Sequence, residues 1–322
     1  MTCFAQAAFA RLRARAKEEK YDDVRDSSAY KYDRKFLFKV LCLGNSQLAQ
    51  ISQCKGPNCQ VNTACSGTTT GLSIASDWIR SGRCDRVVVI AGDSASSDTL
   101  LPFIGNGFVA LGAACTKPTV EEGAKPFDKS RSGMIVGAGG VGIVLESPAS
   151  AASRPQIYSR LVHSQFANSA YHGAAMNSEH IASELKRFLA RVEELHGITK
   201  EEIAAHGVYY AHETCTNSSA TSSCSYNEIS ALRSVFGEDL LSKMLVTNTK
   251  GFTGHSMGCS FEDAAAIAGL KRQEVPPVVN LSAPDPNLGA LKLSEGGNYA
   301  HRYSLRLGAG FGSQVAWAMY SL

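Results

Sequence analysis

No apolar stretch in the 322-residue chain approaches the ~18 residues that a membrane helix needs; Phe108 to Cys115 supplies eight, one of them a glycine. A dominant charge is missing as well. Lys and Arg number 32 against 29 Asp and Glu, a formal net charge of +3, too mild to make nucleic acid the default partner. Charged residues contribute 19% and apolar residues 44%, outside the charge-rich, apolar-poor range of disordered chains, so a core must form. Ten cysteines spread over this length are too sparse for a disulfide scaffold, and no secretory segment opens the chain, so they read as reduced thiols. Arg11, Arg13, Arg15 and Lys17 give the first residues a faint likeness to a transit peptide, but Thr2 is the only hydroxyl there. The expectation is an exposed helix and a cytoplasmic protein, with an organelle left open.

The length accommodates one large domain or two fused halves, and glycine and proline punctuation makes the elements short and alternating. Phe36, Val40, Leu43, Leu48 and Ile51 carry a helical period that breaks at Gly56-Pro57. Gln60 to Ala64 reads as a short strand running into Cys65, followed by a helix with Leu72, Ala75, Trp78 and Ile79 on one face and Gly82 as its cap. Arg86 to Ala91 then reads as a strand buried on both faces, so that strand, helix and strand imply a parallel pair with a crossover. Further on, Ile181, Leu185, Phe188, Leu189, Val192 and Leu195 form a helical stripe, Thr199 and Glu202 a capping box, and Gly207 to Ala211 and Leu245 to Asn248 two more strands. The pattern predicts two α/β halves, each delivering polar residues from strand ends.

Three motifs fail on context. Gly137 to Gly142 satisfies GxGxxG, but a strand pattern follows it rather than the helix a pyrophosphate requires. Gly92-Asp93-Ser94-Ala95-Ser96 lacks the closing glycine of a hydrolase elbow. Cys54 and Cys59 have no second ligand pair, so no metal site is expected.

Cys65, in VNTACSGTTTG, sits where helix amides and the helix dipole favour a thiolate and face a developing oxyanion. His212 ends the GVYYA strand in HETCT, and His255 ends TKGFTGH, five residues after Lys250. A lone buried cysteine or histidine is more commonly structural. Together they supply what carbon–carbon bond formation at a thioester needs, a polarisable nucleophile, two imidazoles and a cation. Gly308 to Ser313 (GAGFGS) lets backbone approach closely and offers the amide of Phe311.

At these residues the chain resembles the β-ketoacyl synthases, condensing enzymes of fatty-acid and polyketide synthesis with the thiolase fold. The motifs stand in the family's order: TACS at Thr63 to Ser66, HxTxT at His212 to Thr216, the lysine segment ending in His255, and GFGS at Gly310 to Ser313. Asn227 to Leu232 and Pro276-Pro277 add to the likeness. The resemblance implies a thiolase-like αβαβα architecture of two related halves, 36–150 and 151–322, behind a helical or irregular segment 1–35. It implies that Cys65 takes an acyl group from an acyl carrier protein or carrier domain, while His212 and His255 hold the carbonyl of a malonyl-type thioester as carbon dioxide leaves. Amides of Cys65 and Phe311 would receive the oxyanion, and Lys250 would order the network. Thr214, Thr216, Phe108, Phe311 and Gly312 would contact substrate, carried on phosphopantetheine, with no metal or dissociable cofactor, and the working unit would be a homodimer.

A thiolase needs a late second cysteine, whereas the last here is Cys259; initiating synthases use asparagine where His255 stands, so the elongating Cys-His-His type fits. A cysteine hydrolase would leave Lys250 and one histidine idle. A catalytically silent condensing-fold subunit that shapes a partner's pocket is the alternative; retention of Cys65 argues against it. Glu213 and Cys215 replace the glycines usual after the first histidine, which implies strain if the loop needs positive φ, and Glu213 is expected to raise the pKa of a nearby imidazole. Phe261 stands where the family has a small residue. Such departures fit an unusual subfamily from a multidomain polyketide or polyunsaturated fatty-acid synthase. Only 64 residues precede Cys65, fewer than in the family, so the first half is expected to lack strands.

Overall fold

The computed structural model describes residues 43–98 and 100–322, and contacts divide the chain into two compact units, Met1–Gln60 and Val61–Leu322. The helix expected at the chain's start, and residues 36–42 of the next predicted helix, lie outside the described residues. In the first unit, α1 (Gly44–Ser52) stops at Gln53, which takes the left-handed conformation at φ 57°.

In the second unit, two-residue alternation builds the larger sheet. Its strands are β3 (Arg160–Asn168), β4 (Gly207–Tyr210), β5 (Leu245–Thr247), β6 (Lys292–Leu293), β7 (Tyr303–Gly310) and β8 (Gln314–Ser321), in the order β3-β8-β7-β4-β5-β6. β8 runs antiparallel to β3 and β7, while β7, β4, β5 and β6 are mutually parallel. Tyr209, Leu305, Leu307, Trp317 and Met319 point to one face, where they pack against Leu185, Phe188 and Leu232. Val208, Tyr210, Ala318 and Tyr320 point to the other, against Leu72, Ala266 and Leu270. Successive side chains of a strand face opposite ways, so each strand feeds both cores.

The first face is covered by α4 (Ser178–His196) and α6 (Cys224–Leu241). The predicted stripe is buried from Ile181 to Val192, and Leu195 at its end is exposed. The Thr199 hydroxyl accepts from the Glu202 amide, starting α5 (Lys200–His206) as the capping box requires. The second face is covered by α2 (Gly67–Arg80) and α8 (Phe261–Arg272). Gly82, at φ 70°, donates to Ile79 and closes α2.

Three sequence expectations are corrected here. Gln60 to Thr63 is not a strand; the chain enters Cys65 through a single 3₁₀ turn, Ala64–Ser66. Arg86 does begin β1 (Arg86–Asp93), but it pairs antiparallel with β2 (Gly139–Glu146), not parallel through a crossover. β1 is also not buried on both faces: Val89 packs with Ile143 and Leu145 against the Leu72 core, while Val88 and Ile90 are 40% and 44% exposed. Four layers result, helices, large sheet, helices and the β1–β2 ribbon, an α/β arrangement of thiolase type. Among the described residues no helix is long and apolar enough to cross a membrane.

β4, β5 and β7 point their C-terminal ends the same way, so the segments that follow them converge at one edge. Leu185 is fully buried. Leu185→Ala is expected to cost about 2–5 kcal/mol, read as a lower urea midpoint, whereas Leu195→Ala costs about 1 kcal/mol or less.

Candidate active site

Cys65 is placed by the turn that precedes α2. Ser66 donates from both its amide and its hydroxyl to the Thr63 carbonyl, at 3.2 and 2.8 Å, which bends the chain ahead of the helix. The next contact is long-range: the amide and hydroxyl of Thr68 donate to the Gly258 carbonyl at 3.1 and 2.7 Å, and the Ser260 amide donates to the Thr68 hydroxyl at 2.9 Å. The start of α2 is thereby fastened to the segment carrying His255. On the far side of Cys65 lies the β7–β8 turn. A Cβ on Gly310 would stand 2.4 Å from the Thr63 carbonyl oxygen and 3.0 Å from the Cys65 amide, so only glycine fits this approach.

His255 follows α7 (Lys250–Thr253), and its backbone is stitched to the strand entering β2, donating to Ile135 at 2.7 Å and accepting from Gly137 at 2.9 Å. Its Nε2 lies 3.0 Å from Cys65 Sγ. His212 stands two residues beyond β4, its amide donating to Glu228 Oε1 at 2.6 Å. The two imidazoles meet edge to face with centroids 5.9 Å apart.

Asn248 ties these segments together. Its side-chain amide donates to the carbonyls of Ala211 and Glu213, at 3.2 and 2.9 Å, while its oxygen accepts the Lys250 amide at 2.8 Å. Lys250 Nζ, itself buried, donates to Glu262 Oε1 at 2.8 Å.

Cys65, His212, His255, Thr214, Thr216, Phe108 and Phe311 line one cavity of about 380 Å³. The Phe108 and Phe311 rings are 6.0 Å apart between centroids. Lys250 stands outside the wall, behind the histidines, and Gly312 is exposed on the β7–β8 turn rather than in the lining. Among the described residues, no group of three or more His, Cys, Asp or Glu side chains is placed to hold a metal ion.

Burial governs protonation here. It pushes the Cys65 thiol up to about 11, against the opposing pull of Lys250 and of the Phe311 and Cys65 amides. The helix start, expected to favour a thiolate, is outweighed by desolvation, and the nearby Thr68 amide is committed to Gly258. His255 is held down at about 3 by burial and then by Lys250, and His212 well below the usual imidazole value by burial, Lys250, Arg306 and His255. The resting site is thus a neutral thiol facing neutral imidazoles, with a fixed cation behind them.

Residues 12–151 match the model of the β-ketoacyl synthase N-terminal domain. Over 239 residues, 73% of this chain, the sequence is 30% identical to 3-oxoacyl-[acyl-carrier-protein] synthase 2 of Vibrio cholerae. By that domain model and by this relative, the chain is similar to the β-ketoacyl synthases. The corresponding synthase of Coxiella burnetii is 27% identical over 278 residues, covering 83% of this chain and 62% of that protein. The chain spans about half the length of the curated relatives it matches, 54% for the Vibrio cholerae synthase. Among solved structures, a ketosynthase from a type II polyketide synthase, in complex with its acyl carrier protein, aligns with TM-score 0.76 at 23% identity over 86% of this chain and 66% of its own. The ishigamide ketosynthase/chain length factor aligns with TM-score 0.73 at 24% identity, over 86% of this chain and 64% of its own. At these identities the likeness establishes the fold.

The departures from the family pattern have local explanations. Cys215 does adopt a positive φ, 61°, a conformation costing a non-glycine residue roughly 1–2 kcal/mol. Glu213 Oε1 accepts the Cys215 amide at 3.1 Å and Gly133 donates to the Cys215 carbonyl at 2.8 Å, so the bend is held from both sides. The expected effect of Glu213 on the imidazole is corrected: its carboxylate turns to Arg131, 3.6 Å away, and the His212 pKa moves down. Phe261 is housed by a glycine, since a Cβ on Gly139 would lie 2.5 Å from its ring.

Sequence reading missed Thr68, Asn248, Glu262 and Arg306. Glu262 carried a legible signal as one of two acids in the first turn of a helix seven residues after His255. Although burial pushes its carboxyl up, Lys250 and Arg306 hold it at about 2. Glu262→Gln leaves two buried cations with less compensation and is expected to cost about 3–5 kcal/mol, measured as a fall in the denaturation midpoint.

Proposed function

We propose that this chain is a decarboxylating, elongating β-ketoacyl synthase. The observation that carries the reading is the 3.0 Å approach of His255 Nε2 to Cys65 Sγ, inside a cavity that His212 and Phe311 also line. The phosphopantetheine arm of an acyl carrier protein or carrier domain brings the substrates, and the proposal includes a homodimeric working unit.

In the first half-reaction, Cys65 sulfur attacks the acyl thioester carbonyl and its proton passes to His255 Nε2, the nearest base. The carrier thiol leaves, taking a proton, and the acyl group remains on Cys65. A malonyl-type thioester then binds with its carbonyl oxygen facing the neutral N–H groups of His212 and His255. Cleavage of the carboxylate bond releases carbon dioxide and leaves its electron pair as an enolate, whose oxygen these two donors stabilise. The enolate carbon attacks the acyl carbonyl on Cys65. Amides of Cys65 and Phe311, already directed at the sulfur, receive the oxyanion. Collapse breaks the carbon–sulfur bond, and the Cys65 thiolate so released takes a proton from solvent.

Neutral imidazoles suit this scheme because each can donate without first losing a charge to solvent. With His255 at about 3, protonation does not disable it until well below neutral pH. Malonyl-thioester decarboxylation should therefore hold its rate from pH 7 to pH 5; a decline centred near the ordinary imidazole value of about 6.5 would contradict neutral, buried histidines.

Incubation with an acyl-carrier thioester should leave an acyl adduct on the peptide containing Cys65, detected by mass spectrometry, and none on Cys65→Ala. Cys65→Gln should retain malonyl decarboxylation without condensation, and His255→Ala should lower that decarboxylation at least tenfold, in the ~10²–10⁴ range of lost acid–base or oxyanion donors. Normal condensation by Cys65→Ala would sink the nucleophile assignment.

A further inference from the structure

In β7, Ser304, Arg306, Gly308 and Gly310 share the sheet face turned toward α2 and α8, opposite Tyr303, Leu305 and Leu307. Arg306 is 1% exposed, a guanidinium in the middle of the molecule. Its Nη2 donates to Ser260 Oγ at 3.3 Å and to Glu262 Oε2 at 3.4 Å, and its Nε faces Asp263 Oδ2 at 3.9 Å. The other oxygen of Glu262 takes the Lys250 ammonium at 2.8 Å and the Thr249 hydroxyl at 2.9 Å. Asp263 accepts from Thr69 Oγ1 at 2.7 Å and from the Tyr320 hydroxyl at 2.6 Å. Two cations and two carboxylates thus form a neutral cluster behind the histidines, with Glu262 gripped from both ends.

We propose that Arg306 is a positioning residue of this site: it fixes Glu262 against Lys250 and balances the Glu262–Asp263 acid pair, so that no net negative charge stands behind Cys65 and His255. The inference rests on the condensing reading for its catalytic meaning, but its electrostatic content does not. The charged and titratable groups around Cys65 and His255 are His212 beyond β4, Lys250 from α7, Glu262 and Asp263 from α8, Arg306 from β7, and Asp93 at the end of β1, which acts on Cys65. Removing Arg306 leaves one cation against two carboxylates. The local field then turns negative, and the imidazoles gain affinity for protons. The same negative field holds the Cys65 proton more tightly, which lowers thiolate character near neutral pH. The imidazoles protonate at a higher pH, so the neutral N–H donors of decarboxylation are lost earlier on acidification. Thiol labelling should slow with Cys259 still protected, whereas loss of folding would speed the labelling of both cysteines.

The test uses the full chain with Arg306→Met and Arg306→Lys. Iodoacetamide labelling of Cys65 is followed from pH 5.5 to 8 by peptide mass spectrometry, with buried Cys259 as the unfolding control. Decarboxylation of a malonyl thioester is followed from pH 3.5 to 8. For Arg306→Met, Cys65 labelling at pH 8 should fall about tenfold, the effect of one pKa unit, with Cys259 still protected. The acid limb of decarboxylation, below pH 5 in the unaltered protein, should move up in pH, and Arg306→Lys should restore both profiles. Unmoved profiles with Cys259 protected overturn the proposal. If Arg306→Met exposes Cys259, Asp263→Asn decides: losing a carboxylate leaves Arg306 unbalanced and should speed Cys65 labelling at pH 8 with Cys259 still protected, and an unchanged or slower rate overturns the proposal. Labelling needs no substrate, so absence of decarboxylation in the unaltered protein counts against the condensing reading while the Arg306 arm still gives its answer.

Discussion

Thr68, through two hydrogen bonds to the carbonyl of Gly258, joins the turn that presents a thiol to the segment that presents an imidazole, across a separation of 190 residues. Thr68 stands in the first turn of α2 and Gly258 in a turn outside any strand, so the sheets alone do not fix their distance. The helix that starts at Gly67 contributes by its first turn rather than by its dipole. It spends an otherwise unpaired terminal amide on a neighbouring loop, and that loop then carries His255 to the sulfur. Gly310 completes the closure, because the β7–β8 turn reaches the same place only without a side chain.

Desolvation that raises a thiol's pKa also lowers a histidine's, so a sealed site favours uncharged partners. Left there, such a site would be inert. Lys250 stands beside it as a fixed cation, and Glu262 makes the burial of Lys250 and Arg306 tolerable by serving both. A buried ion cluster of this kind contributes little net stability, since the cost of stripping water from each charge offsets most of the attraction. Its value lies in holding a direction of field that water would average away.

Much of this was legible in the sequence where periodicity and motif coincide. The stripe from Ile181 to Val192 marks a helix because one face meets the sheet, and GVYYA marks a strand because its side chains feed both cores. Cys65, His212 and His255 could be named together because each ends an element and the family order links them. Gln60 to Ala64 misled because a short apolar-polar run looks the same in a strand as in a chain drawn straight by a following turn. The β1–β2 ribbon misled differently. VVVI has the composition of a doubly covered strand, yet the described residues cover one side only. Glu262 and Arg306 were invisible as partners because nothing local relates a helix start to a strand forty residues later; only the packing of α8 on β7 does so.

The seat of Phe261 against Gly139 ties two positions that lie far apart in the chain and that neither chemistry nor catalysis relates. Gly139 also holds φ at 156°, a conformation that side chains rarely adopt, so the ring is seated on a position kept bare twice over, once by space and once by backbone.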